Sequence, residues 1–294
     1  MKQRYLSIFG LLFLCTTPAM ADDTTLGKVA RSSNLTLGYR ESSVPFSYLG
    51  KDQKPVGISI DLCREVASAV LAKYPNTNVE WVAVNASNRI PLLQNGTIDL
   101  ECGSTTNTVE RQKQVAFSVA TFASQVSWLV DGKLNITSEA NLRNKTAVVT
   151  QGSLNAQVLE KLNQEKHLDL HIQHGKEQAE SLMLLRSGRA AGWLEDDILQ
   201  AGLVASSPNS ADLKFIPSSY TTASYYGLMM RKDDPDFKKL VDDTIIGLMK
   251  NGSYVALYEK WFEKPIPPSN ISLHLPMSNA LKERVKSPSD ALAP

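Results

Sequence analysis

Arg40, Arg89 and Arg111 are the residues whose types and placement point most directly to chemistry. Each lies just beyond an expected strand or at an expected helix start. Pro91 suits the first turn of a helix and Gly96 its end, so Arg89 falls near the amino end of an expected helix Ile90–Asn95. Thr106, Asn107 or Thr108 can cap a second helix, which puts Arg111 in its first turn. A cation there opposes the helix dipole, whose amino end favours anions. Two such arginines around the polar loop Gly103-Ser104-Thr105-Thr106 suggest a site for a negatively charged ligand. Guanidinium suits a carboxylate because its fork meets both oxygens and keeps its charge. Any one of these arginines alone reads better as a solvated surface residue. Only convergence of the three on one site makes them a candidate for ligand binding.

A second set lies further along the chain. Thr150-Gln151-Gly152-Ser153 repeats the strand-to-helix loop, with N–H groups at a helix start ready for an anion. The ordinary reading of either loop is a capping turn. In Glu195-Asp196-Asp197, Asp197 is placed to cap a helix Ile198–Ala205, and Asp196, nearer the strand end, is placed to hold an ammonium group. A Glu195/Asp196 pair can also do acid–base work, which keeps an enzyme in view. His167, His171 and His174 form no HExxH, no Gly-Lys pair is followed by Ser or Thr, and GxSxG is absent. No metal, cofactor or nucleophilic machinery is therefore expected.

The elements that must position these residues alternate. Leu35–Tyr39 reads as a strand, Gly57–Asp61 as the lead into a helix that runs to about Lys73 and is stopped by Pro75, Val79–Val84 as a strand, and Ile98–Cys102 as another. Ala116–Val130 is one long extended run, fit to carry the chain out of one lobe into another. Then come a strand Ala147–Thr150, a helix Ser153–Lys166, a strand Leu168–Gln173, a helix Ala179–Arg186 and a strand Ala190–Leu194. Gly227–Met230 is a last strand, followed by helices over Asp236–Lys250, Ser253–Phe262 and Ser278 to about Val285. LLQNGTIDLE and LLRSGRAAGWLE echo each other as helix, glycine stop, strand, then an acid and a polar loop. The pattern predicts α/β architecture in two lobes of similar plan, each delivering loops from the carboxyl ends of its strands, where ligands of open α/β sheets bind.

Residues 1–21 read as a cleavable secretory signal. Lys2 and Arg4 precede an apolar core, Leu6 to Cys15, and Ala19-Met20-Ala21 supplies a small-x-small cleavage site. Lipidation at Cys15 is disfavoured by the bulky Leu14 before it. Removing Lys2 and Arg4 from the 31 basic residues leaves 29 against 30 acidic ones, a near-neutral chain with no electrostatic footprint for nucleic acid. No other stretch is apolar enough for membrane insertion. Two cysteines remain, Cys63 and Cys102. In an oxidising compartment they are a candidate disulfide; the alternative is two buried thiols.

Five segments carry a resemblance: RESSVPFSY (Arg40 to Tyr48), NRIPLLQNGTIDLECGSTTN (Asn88 to Asn107), VERQKQVAFS (Val109 to Ser118), RKDDPDFKKLVDDTI (Arg231 to Ile245) and KWFEKPIPP (Lys260 to Pro268). On these, the chain resembles the periplasmic glutamate/aspartate-binding proteins of ABC importers, in the polar amino-acid group of type II solute-binding proteins. The resemblance implies the two-lobe periplasmic-binding-protein type II fold, two α/β lobes joined by two hinge strands. Lobe one would comprise 22–121 and 222–294, and lobe two 122–221. It implies a monomer with no cofactor, serving ABC permease subunits. Carried over position by position, Arg111 would clamp the α-carboxylate with Thr150 and Ser153. Asp196, Thr106 and the Ser104 carbonyl would hold the α-ammonium, and Arg40 and Arg89 would read the side-chain carboxylate. Gln178 stands where the family pattern places a histidine, and Ala86 where it places a serine. Both departures touch the side-chain end, which leaves glutamine, asparagine or a modified acidic compound as alternatives to glutamate and aspartate. The rival readings are a dehydratase of a small carboxylic acid on the same fold, and a ligand sensor docking on a receptor.

Overall fold

The structure is a computed structural model that describes residues 24–207 and 212–292. The expected signal segment, 1–21, lies outside the described residues.

Two five-stranded sheets form the two lobes. In the first, Asn34–Tyr39 runs parallel to Asn78–Ala83 on one side and to Leu100–Cys102 on the other. Met229–Arg231 adds antiparallel to Leu100–Cys102, and Val115–Phe117 closes the row. The second sheet repeats the plan. Thr146–Thr150 lies parallel between His171–Gly175 and Gly192–Asp196, and Val126–Asp131 and Leu213–Pro217 add antiparallel. In both, the first strand of the parallel trio is central, so the chain leaves it in opposite directions and opens a crevice at the carboxyl ends.

Two short strands cross between the lobes. Phe122–Ser124 and Ser224–Tyr226 pair antiparallel, Phe122 opposite Tyr226. The long extended run expected over Ala116–Val130 is thus three strands, one ending the first lobe, one crossing, and one opening the second. Stacked aromatics anchor the crossing to the first lobe. Phe122 lies on Phe262 with ring centroids 5.1 Å apart, and Phe262 on Tyr258 at 4.4 Å. Such pairs add about 0.5–1.5 kcal/mol each beyond their area.

Helix Ile58–Lys73 buries Leu62, Val66 and Val70, the i, i+4, i+8 stripe of an amphipathic helix, against the first sheet. Cys63 on its inner face is bonded to Cys102 at the end of strand Leu100–Cys102, with Cα atoms 6.1 Å apart. The C-terminal segment returns over the same lobe. Trp261 Nε1 donates to Asp61 Oδ2 at 2.8 Å, Tyr48 Oη donates to the Pro267 carbonyl at 2.7 Å, and helix Asn279–Lys286 closes the chain.

Some expectations shift. The strand expected over Leu168–Gln173 is His171–Gly175, because His167 and Asp169 both adopt φ of 51°, which a strand excludes. Leu168 and Leu170 are still buried, so the apolar pattern marked burial and not pairing. The helix after Glu195 begins at Asp197, and its N-cap position is Asp196, one residue earlier than expected. Helix Thr25–Ser32 and the small sheet of Ser42–Ser43, Ser47–Leu49 and Pro55–Val56 were not anticipated.

Candidate functional site

One cavity between the lobes is lined by Arg40, Ala86, Arg89, Ser104, Thr106, Arg111, Ser153, Gln178 and Asp196, with Leu154, Asn155, Glu195 and Leu199. Every residue singled out for a ligand lies there except Thr150. Thr150 ends its strand, and its hydroxyl donates to Glu195 Oε2 at 2.8 Å.

Each side chain reaches the cavity from the end of a strand or the start of a helix. Arg40 follows strand Asn34–Tyr39, and Arg89 opens helix Arg89–Gln94. Ser104 and Thr106 follow Leu100–Cys102, and Gly103 just before them packs so closely that a Cβ would come within 2.1 Å of Glu101 Oε1. Arg111 sits in Val109–Gln112, with Thr108 as the cap. That helix is a single turn, so the dipole opposition expected for Arg111 is slight. From the second lobe, Ser153 caps Leu154–Glu165, accepting from the Ala156 N–H at 3.2 Å, and Gln178 opens Gln178–Arg186. Asp196 ends Gly192–Asp196.

The arginines differ in their company. Arg89, 3% exposed, donates from Nη1 to Thr105 Oγ1 at 2.5 Å and faces Glu101 Oε1 at 3.7 Å. Burial pulls its guanidinium down to about 9, against an upward pull from Glu101. It therefore remains charged at neutral pH. Arg111 donates to the Thr106 carbonyl at 2.9 Å, and burial lowers it too, opposed by Glu101 and Asp196. Arg40, 1% exposed, is gripped across the cleft. Its Nε and Nη2 donate to the two oxygens of Glu177 at 3.2 and 2.5 Å, and Nη2 also donates to Gln178 Oε1 at 2.9 Å.

The carboxyls of the second lobe form a pair. Asn155 Nδ2 donates to Glu195 Oε1 at 2.5 Å and to Asp196 Oδ1 at 3.2 Å, and Tyr226 Oη donates to Asp196 Oδ2. Burial, then repulsion from Asp196, pushes Glu195 up to about 7. Burial raises Asp196 to about 6, although Tyr226, Asn155 and Arg111 favour its charge. Desolvation outweighs these favourable neighbours, Arg111 among them.

On residues that line the cavity, three buried polar atoms find no hydrogen-bond partner among the described residues: Arg89 Nε, Ser104 Oγ and Asn155 Oδ1. Buried polar groups are rarely left unpaired, so a donor, a hydroxyl and an acceptor on residues around one cavity suit a polar ligand. The lobes already meet. Ser87 Oγ donates to the Gln151 carbonyl at 3.3 Å, and a Cβ on Gly152, whose φ is 75°, would lie 2.7 Å from Ser87 Cα. The cavity is about 10 Å³, room for about one water and far too little for an amino acid. The lobes must part to admit a ligand.

Glu101, Asn155, Glu177 and Tyr226 were not recognised from sequence as part of this arrangement. Glu101 carried a signal: with Asp99 it is one of two carboxylates in the strand run Ile98–Cys102, and each must find a partner when buried. The other three have none that spacing supplies.

The family model described as bacterial extracellular solute-binding proteins, family 3, matches residues 35–264. The chain is 42% identical over 282 residues to the glutamate/aspartate import solute-binding protein of Escherichia coli K12, covering 92% of each. It is 40% identical to the L-glutamate/L-aspartate-binding protein of Pseudomonas aeruginosa, covering 95% of this chain and 94% of the relative. Among solved structures, an ancestral arginine-binding protein bound to arginine superposes with a TM-score of 0.69 at 28% identity, over 78% of this chain and 98% of that one.

Proposed function

The chain belongs to the bacterial extracellular solute-binding proteins of family 3, and from that premise we propose that it captures an acidic amino acid in the interlobe cleft. It works in the periplasm after removal of residues 1–21, as a monomer that delivers its ligand to an ABC permease. Residues 22–121 and 222–294 form its first lobe and 122–221 its second. One observation carries the reading: Arg111 of the first lobe and Asp196 of the second line one closed cavity together with Arg40 and Arg89. An acidic amino acid has two carboxylates and an ammonium group, the complement of those four charges. The relatives named for glutamate and aspartate import support the same ligand class.

Arg111, with Ser153, clamps the α-carboxylate. Asp196, assisted by Thr106, the Ser104 carbonyl and the free Asn155 Oδ1, takes the ammonium. Arg40, Arg89 and Gln178 meet the side chain. Thr150 acts through Glu195, which it holds, and does not touch the ligand. Ligand enters with the lobes apart, and closure about the crossing strands completes the shell. Closure is favoured to the extent that the ligand binds the closed form better than the open one. A thermal-shift screen of the twenty amino acids, followed by calorimetry, tests the reading. Stabilisation by glutamate and aspartate is expected, and none by any amino acid would overturn it.

The raised Glu195 keeps a dehydratase as the second reading, because a neutral carboxyl in a closed cavity can serve as a general acid. Turnover of a small hydroxy acid would favour it. The relatives' import role favours binding without turnover.

A further inference from the structure

The two arginines assigned to the ligand's side chain each already have a carboxylate of the protein. Glu101 belongs to the same lobe as Arg89 and is wholly buried, with Thr105 Oγ1 donating to its Oε2 at 2.8 Å. That pairing is independent of closure. Glu177 is different. It stands just before helix Gln178–Arg186 of the second lobe and reaches Arg40 of the first, so its pairing exists only when the lobes meet. The contact is built on both sides. Ser42 Oγ donates to Glu177 Oε2 at 3.3 Å and accepts from the Ala179 N–H at 3.4 Å, and Ser43 Oγ donates to Gln178 Oε1 at 3.3 Å.

In the closed cleft the side-chain subsite therefore contains two guanidiniums and two carboxylates, with no net charge. Gln178 adds none, and its carbonyl is already shared by Arg40 and Ser43. The amide N–H groups that remain to it can donate to a carboxylate oxygen or to an amide oxygen. We propose that Glu177 is a specificity-determining residue: by neutralising Arg40 on closure it lets the cleft take amide as well as acidic amino acids. The inference rests on the amino-acid-binding reading above and names the breadth of its ligand class. The physical basis is that a neutral subsite gives a carboxylate no large Coulombic advantage over its amide isostere, whereas an uncompensated arginine does.

Glu177→Gln keeps the shape and removes the charge, and the side chain is partly exposed, so folding should survive; Glu177→Ala serves as a second variant. Calorimetry with glutamate and glutamine reads the ratio of their dissociation constants. The wild type is expected to bind the two within about tenfold of each other. Both variants are expected to shift the ratio toward glutamate by roughly tenfold or more, as one partly buried unit charge a few ångströms away warrants. A wild type that rejects glutamine by more than about a hundredfold overturns the proposal. So does a ratio that stays put or moves toward glutamine in the variants. Failure of the wild type to bind any amino acid would instead sink the underlying reading, and the proposal with it.

Discussion

Glu195→Gln should stabilise the unliganded protein at alkaline pH and leave it nearly unchanged in acid. Glu195 is buried, shares Asn155 with Asp196, and accepts the Asp196 N–H at 3.1 Å. Its carboxyl rises from an ordinary 4.5 to about 7. Between those values the folded state holds a proton that the unfolded chain has lost, so stability falls as pH rises. Below about 4.5 both states are protonated and the penalty vanishes. Above about 7 it is complete, on the order of 3 kcal/mol for a shift of that size. Glutamine is isosteric. Its carbonyl accepts from Asn155, and its NH₂ donates to Thr150 Oγ1, which can turn its own proton to Ser181 Oγ 3.2 Å away. Urea denaturation of wild type and variant at about pH 4.5, 6 and 8 reads the effect, with Asp196 present in both. The two curves should coincide in acid and diverge with pH, the variant above. Parallel pH profiles would refute the claim that burial governs Glu195.

Arg111→Ala should cost every amino acid about 2–5 kcal/mol of binding, roughly thirtyfold to several thousandfold, because the α-carboxylate is common to all of them; calorimetry giving wild-type affinity for glutamate would remove Arg111 from the clamp. Replacing Cys63 and Cys102 with serine opens a loop spanning 39 residues of sequence separation. The chain-entropy argument then expects about 4 kcal/mol of lost stability, and a denaturant midpoint close to wild type would contradict it. Arg40→Ala leaves the Glu177 charge unpaired on closure, so it should shift the ranking away from glutamate and aspartate toward neutral side chains and leave the α-end intact, an effect visible as a changed ranking in the thermal-shift screen.

The alternation of elements was legible because it depends on local periodicity. Strand Thr146–Thr150 falls within a residue of expectation, and helix Ile58–Lys73 ends where expected. The helix starts that aroused suspicion led to the cavity, since Arg89 and Arg111 both line it. Arg89 opens its helix and opposes the dipole there, whereas Arg111 sits in a single turn whose dipole is slight. The resemblance pointed to Ser104, Thr106, Ser153, Gln178 and Asp196, which also line the cavity. Thr150 and Glu195 are 45 residues apart in sequence, and the pairing of neighbouring strands brings the hydroxyl to the acid.

By itself, the sequence determined the features that depend on neighbours along the chain. It carried the two-lobe α/β plan, the expectation of an export signal, the cysteines available to pair, and most of the residues that line the cavity. Only the tertiary structure decided how those charges are matched. Arg40 and Glu177 are separated by 137 residues, Asp196 and Tyr226 by 30, and no local pattern announces either pair. Their company sets whether a buried arginine is free to meet a ligand and whether a buried carboxyl keeps its proton. Both outcomes depend on desolvation and on distances between lobes, and neither quantity exists until the chain has folded.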